Sequence, residues 1–183
     1  MAKVYTFLAD GCEMVEALAV VDVLRRAGID TVTVSVNGKH EVLSSHKVVL
    51  GADTLFEEND YEDADVLFLP GGMPGTRNLE AHQGLVVLLK QHNAQEKLLA
   101  AICAAPSVYG HLGFLNGKKA TCYPGFEKDL IGAEYVPDRV VKDGNIITSR
   151  GMGTAIDLGL RLVAVLISVQ KADDIAKAIQ YII

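Results

Sequence analysis

Leu98-Leu-Ala-Ala-Ile102 is a short apolar run that stops at Cys103-Ala-Ala-Pro106. A run of this kind reads as a buried strand, and a proline just beyond it suits the first turn of a helix, here expected to reach His111. Asp65-Val-Leu-Phe-Leu69 repeats the pattern and ends at Pro70-Gly71-Gly72, as a central parallel strand buried on both faces would. A helix over residues 78–92 is expected to follow it. Toward the N-terminus, Lys3 to Leu8 reads as a strand, and Val15 to Ala27 places apolar residues on a helical period that Gly28 ends. Asp30 to Val36 alternates Thr or Ser with Val before the turn signal Asn37-Gly38, and Glu41 to Leu50 reads as a short hairpin or edge extension. Toward the C-terminus, Val140–Lys142 and Asn145–Ser149 flank Asp143-Gly144 as a hairpin, followed by helices over Thr154–Ser168 and Ala172–Ile182. Strands alternating with helices predict an α/β fold, a three-layer αβα sandwich with a mainly parallel sheet, in one domain over residues 1–183.

Composition narrows the function classes. Half of the 183 residues are apolar and 22% are charged, which disfavours disorder and fibrous repeats. Lys plus Arg total 17 against 23 Asp plus Glu, a formal charge of −6, so a nucleic-acid or anionic-membrane surface is not expected. Cys12, Cys103 and Cys122 are far apart, with no metal-ligand spacing, which disfavours a disulfide framework or a zinc site. The N-terminus lacks a signal-peptide core, and the longest strongly apolar stretch, Leu158 to Val169, is interrupted by Arg161. The expectation is a cytoplasmic protein in a reducing compartment.

Doubly wound sheets place their sites at the C-terminal ends of the strands. Those positions hold Asp10 to Glu16, Gly71-Gly72, Cys103 and Ser149-Arg150-Gly151. Cys103 sits at a strand-to-helix turn among Ala101, Ala104 and Ala105, the small neighbours that a nucleophile elbow requires. A helix N-terminus there favours the thiolate. Free cysteine is also among the most buried residue types, so a small core residue is the competing reading. Gly71 and Gly72 offer unobstructed backbone amides to an oxyanion beside Cys103, or simply form a turn. Glu16 and Glu13 both lie near the start of the first helix; a carboxylate partly desolvated beside a thiol would have a raised pKa and share its proton, and periodicity does not choose between the two. His40, His46, His82, His92 and His111 read as surface or structural. Gly151-Met-Gly153 lacks the third glycine of a dinucleotide-binding turn, Ile156 standing there.

Four stretches together resemble the ThiJ/PfpI superfamily, in the branch of the Parkinson-associated protein deglycase and its bacterial oxidative-stress chaperone relatives. They are Gly11-Cys-Glu-Met-Val-Glu-Ala17 with Val21-Asp-Val-Leu-Arg-Arg-Ala-Gly28, Val66-Leu-Phe-Leu-Pro-Gly-Gly72, Ala100-Ala-Ile-Cys-Ala-Ala-Pro106, and Thr148-Ser-Arg-Gly-Met-Gly-Thr-Ala155. The resemblance implies a flavodoxin-like fold of the class I glutamine amidotransferase kind. It makes Cys103 the reactive cysteine, Glu16 rather than Glu13 its proton-sharing carboxylate, and Gly71 and Gly72 the oxyanion-side glycines. It implies a homodimer with the first helix and Arg26 near the interface, and no cofactor.

Two departures refine this. Ala104 stands where the protease-like branch has a histidine, so peptidase chemistry through a Cys-His pair lacks its base. Tyr123 stands where the human-type deglycase has a histidine, and with a reference pKa of about 10 it is a poor base. The expected catalytic set is therefore Cys103, Glu16, Gly71, Gly72 and Ala104, with Tyr123 and Arg150 binding substrate. The resemblance implies glyoxalase III or deglycase chemistry on methylglyoxal, glyoxal or their early adducts. The alternative it carries is a redox-sensing chaperone whose cysteine is oxidised to sulfinate. A thiamine-precursor role ranks low, because no thiazole- or phosphate-binding signature is present.

Overall fold

The computed structural model describes residues 2–181. In chain order the elements are β1 (Lys3–Leu8), α1 (Met14–Arg26), β2 (Asp30–Ser35), β3 (Glu41–Leu43), β4 (Val49–Gly51), β5 (Thr54–Leu55), β6 (Val66–Leu69), α2 (Gly75–Ala81), α3 (Gln83–Ala94), β7 (Leu98–Ile102), α4 (Pro106–His111), β8 (Lys119–Ala120), β9 (Glu134–Tyr135), β10 (Val140–Asp143), β11 (Ile146–Ser149), α5 (Ala155–Leu166) and α6 (Val169–Ala178).

The main sheet has seven strands in the order β10-β11-β7-β6-β1-β2-β5, parallel throughout except for β10, which pairs antiparallel with β11. Every residue of β6, the central strand, is buried. Leu67 and Leu69 point into one apolar cluster with Phe7, Leu99 and Tyr109, while Val66 and Phe68 point into a second with Ile102, Leu24 and Leu158. Two-sided burial accounts for the unbroken apolar reading of the strand, and makes the architecture the expected αβα sandwich. β3 and β4 form a separate antiparallel hairpin.

Helix α1 is fixed at both ends. The Glu13 side chain accepts the Val15 N–H, Arg25 and Arg26 occupy the last turn, and Gly28 takes a positive φ of 83° just beyond it. Ala17, Val20, Val23 and Leu24 are its buried face. Among the described residues no helix is long and apolar enough to cross a membrane.

Several boundaries differ from the sequence reading. The single helix expected over 78–92 is two helices, because His82 adopts extended backbone and its Nδ1 accepts the Leu85 N–H at 3.0 Å, capping α3. The helix expected from Ala172 begins at Val169, where Ser168 Oγ accepts the Lys171 N–H, and it ends at Ala178. The expected end at Ile182 lies outside the described residues. The two-residue strands β5, β8 and β9 were not anticipated; strands this short carry too few residues for a periodic signal.

Candidate active site

The C-terminal ends of β1, β6, β7 and β11 lie side by side, with Leu69 opposite Ala101 and Ile102 opposite Ser149. Cys103 is the first residue past β7. Its φ of 65° is in the left-handed region, unusual for a residue with a Cβ and a strained position for it. The surroundings hold it there. The Cys103 N–H donates to the Ser149 carbonyl at 3.0 Å, its own carbonyl accepts the Tyr123 N–H at 2.8 Å, and the Ala105 N–H closes the turn on Ile102 O at 3.1 Å. Ala101, Ala104 and Ala105 are buried with no room for larger groups to intrude, while Cys103 itself stays half-buried. Cys12 and Cys122 are fully buried, and burial pushes their thiols up to about 11 and about 12.

Glu16, in the first turn of α1, is 1% exposed and faces the Cys103 thiol. Glu13 points elsewhere, its carboxylate lying 3.2 Å from Ser45 Oγ and 3.3 Å from His46 Nδ1. Burial pushes Glu16 up to about 7, against the opposing pull of its hydrogen bonds to Cys103, to the Gly71 N–H and to the Met152 N–H. Cys103 is pushed up to about 12, first by burial and then by the charge and hydrogen bond of Glu16; the Gly72 and Ala104 amides facing Sγ only partly offset this. The thiolate expected from a helix N-terminus is therefore corrected. Helix α4 has only six residues and a correspondingly weak dipole, and burial, reinforced by the facing carboxylate, outweighs it at the thiol. Loss of one proton from the Cys103–Glu16 pair leaves one proton and one charge to be shared, and both atoms have amides to receive that charge.

Gly71 has a different task from the one its position suggested. Its N–H donates to Glu16 Oε2 at 3.0 Å, so it is occupied by the carboxylate. A Cβ on residue 71 would stand 2.6 Å from Cys103 Cβ and 2.7 Å from Glu16 Oε2, so only glycine lets the two side chains meet. Gly72, at φ 90°, abuts the backbone of Cys12 and Glu13 and turns its amide toward Sγ. Ala104, named in the expected catalytic set, turns its amide toward Sγ, whereas the Met152 amide beside Glu16 is not legible as a site group, since a backbone donor leaves no mark in residue type.

Tyr123 is half exposed, with its ring beside Gly151, and Arg150 is half-buried in the groove that Tyr123 borders. The histidines are engaged elsewhere. His40 bonds to the Ala52 carbonyl, His46 lies against Glu13, His82 caps α3, His92 is buried against the Leu98 carbonyl, and His111 pairs with Glu80.

These features define a doubly wound α/β protein organised around a cysteine elbow whose titrating partner is a carboxylate. The chain belongs to the DJ-1/PfpI family, whose model matches residues 2–165. Protein dj-1beta of Drosophila melanogaster is 38% identical over 174 residues, covering 94% of this chain and 93% of its own. DJ-1 homolog B of Arabidopsis thaliana is also 38% identical over 93% of this chain, which spans only 39% of that relative's length and 44% of its homolog A. A protein named deglycase from Pyrococcus abyssi is 31% identical, over 82% of this chain and 91% of its own. Among solved structures, oxidised Toxoplasma gondii DJ-1 superposes with a TM-score of 0.96 at 37% identity, with all of both chains covered.

Proposed function

We propose that the chain is a cofactor-independent enzyme of the glyoxalase III or deglycase type, acting on methylglyoxal, glyoxal or their early adducts with amines and thiols. The observation that carries this reading is the half-buried Cys103 thiol against a buried Glu16 whose carboxyl is pushed up to about 7, the range a proton shuttle needs at neutral pH. The Pyrococcus relative named deglycase supports it.

In this mechanism Glu16 holds the shared proton while Sγ adds to the aldehyde carbon. The carbonyl electron pair moves to oxygen, which takes the proton from Glu16, giving a hemithioacetal. The Glu16 carboxylate then removes the hydrogen from that carbon to form an enediol and returns it to the neighbouring carbon, leaving a thioester. Water hydrolyses the thioester, restores the thiol and releases a 2-hydroxy acid. One carbon is oxidised and its neighbour reduced, so dicarbonyl plus water balances without an external oxidant. The Gly72 and Ala104 amides, already facing Sγ, are assigned to the oxyanion, and the Gly71 amide to holding Glu16. The test is lactate formation from methylglyoxal without glutathione, expected in the wild type and lost in Cys103→Ser; full turnover by that variant refutes the reading.

A second reading has its own support, since the Toxoplasma neighbour is described as oxidised. In it peroxide oxidises Cys103 to sulfinate, and protonated Glu16 donates a hydrogen bond to the product. Glu16→Gln is then expected to change the rate of Cys103 oxidation in intact-mass measurements, and an unchanged rate counts against it. We also propose a homodimer. Val15 and Leu18 on α1, and Leu43, Val48 and Val49 on the β3–β4 hairpin, are apolar surface that a second copy would cover. Sedimentation equilibrium is expected to give twice the chain mass.

A further inference from the structure

Beside the Cys103–Glu16 pair lies an open groove of about 390 Å³ bordered by Tyr123, Arg139, Arg150, Gly151 and Met152. Gly151 joins the groove to the pair. A Cβ there would stand 3.2 Å from the Tyr123 ring and 3.8 Å from Glu16 Oε1, so little but the missing side chain separates groove from carboxylate.

The two guanidinium groups in this groove are in different states. Arg139 is spent, donating to Asp157 Oδ2 at 2.6 and 3.1 Å, to the Gly153 carbonyl at 3.1 Å and to the Tyr181 hydroxyl at 3.2 Å. Among the described residues Arg150 makes one side-chain hydrogen bond, from Nη1 to the Pro137 carbonyl at 3.4 Å, and no carboxylate lies within ion-pair distance of it. A guanidinium carries five donors in a planar fork, so most of its donor capacity is uncommitted here. Among the described residues Arg77 and Arg161 also lack an ion-pair partner, but both are exposed on helices away from the groove, whereas Arg150 is half-buried within it. Methylglyoxal and glyoxal are neutral and carry no charge for Arg150 to pair with.

We propose that Arg150 forms a carboxylate subsite of this groove, selecting carbonyl compounds that carry a carboxylate remote from the reacting carbon. This deepens the dicarbonyl reading and rests on it for the chemistry, but the subsite itself does not. A single planar guanidinium matches one carboxylate in a bidentate pair. Arg139 is neutralised by Asp157, so no second free cation lines the groove among the described residues to balance a phosphate dianion. The substrate with the proposed chemistry is a 2-oxoaldehyde with a terminal carboxylate, such as 4,5-dioxopentanoate, which isomerises and adds water to give a 2-hydroxy dicarboxylate by the route written above.

The test separates binding from turnover. Binding of 4-oxopentanoate, which lacks the aldehyde, is compared with that of its uncharged amide by titration calorimetry, in the wild type, Arg150→Gln and Arg150→Lys. The wild type is expected to favour the carboxylate by about 10- to 100-fold, as a charge-assisted hydrogen bond allows. Arg150→Gln is expected to abolish that preference and Arg150→Lys to keep part of it. In parallel, the ratio of kcat/KM for 4,5-dioxopentanoate over methylglyoxal is expected to fall toward one in Arg150→Gln. Equal binding of acid and amide by the wild type, or an undiminished preference in Arg150→Gln, overturns the subsite. Selective binding with no turnover of either dicarbonyl upholds the subsite and refutes the glyoxalase reading.

Discussion

The Gly71 amide donates its hydrogen to Glu16 Oε2 at 3.0 Å, so the loop after the central strand holds the carboxylate that faces the Cys103 thiol. This loop belongs to β6, the carboxylate to α1 and the thiol to β7, and the three meet only because the parallel sheet brings their C-terminal ends together.

The fit at Gly71 is tight enough to test. Gly71→Ala places a methyl 2.6 Å from Cys103 Cβ and 2.7 Å from Glu16 Oε2, so one of the pair must move. Displacement of about 1 Å at a reacting centre costs roughly 100-fold in rate. Steady-state kinetics with methylglyoxal are expected to show a loss of that order, with circular dichroism unchanged.

The strained backbone at Cys103 makes a prediction about stability alone. At φ 65° a Cβ costs about 1 kcal/mol or more, a cost that glycine does not bear. Cys103→Gly is therefore expected to be more stable than Cys103→Ala by about 1 kcal/mol in urea unfolding, although both lack the thiol.

Burial of Glu16 opposes folding at neutral and alkaline pH. Its carboxyl moves from 4.5 to about 7 on folding, so the folded chain holds more protons in that window and stability falls as pH rises through it. The cost reaches about 3 kcal/mol above pH 7. Glu16→Gln keeps an acceptor for the Gly71 amide and is expected to unfold at higher urea than the wild type at pH 8. That advantage should vanish below pH 4.5.

His92 works in the opposite sense. Burial first, then the charge of Lys97, lowers it from 6.5 to about 4, so it is neutral in the fold and must be protonated in the unfolded chain as pH falls. Stability attributable to it is complete above pH 6.5 and is lost toward pH 4. His92 and Glu16 thus offset each other between about pH 4.5 and 6.5. His92→Gln is expected to gain stability relative to the wild type as pH drops from 7 to 5, measured as the difference in urea midpoint.

Much of this arrangement is legible in residue types. The unbroken apolar runs of β6 and β7 announce parallel strands covered on both faces, and small residues around Cys103 announce the elbow. The break at His82 is not legible, because a histidine accepting the Leu85 N–H is an uncommon cap within an otherwise helical pattern. Nor is the direction of the Cys103 shift. The sequence places a thiol at the start of a short helix reaching His111, but only the structure shows how deeply the thiol is buried and that Glu16 faces it from α1. Glu13 and Glu16 separate for a similar reason. Both sit near the start of α1, and the β3–β4 hairpin, by bringing Ser45 and His46 to Glu13, turns that side chain away from the site.

The claim that Cys103 and Glu16 act as one proton-sharing unit is tested most directly by the rate of Cys103 alkylation with iodoacetamide as a function of pH. The wild type is expected to show an inflection near pH 7, where the pair loses its first proton. In Glu16→Gln that inflection should disappear, with reactivity rising only in the alkaline range set by burial of the thiol. An inflection near pH 7 of the same size in both proteins would mean that the thiol ionises without Glu16, and would contradict the account.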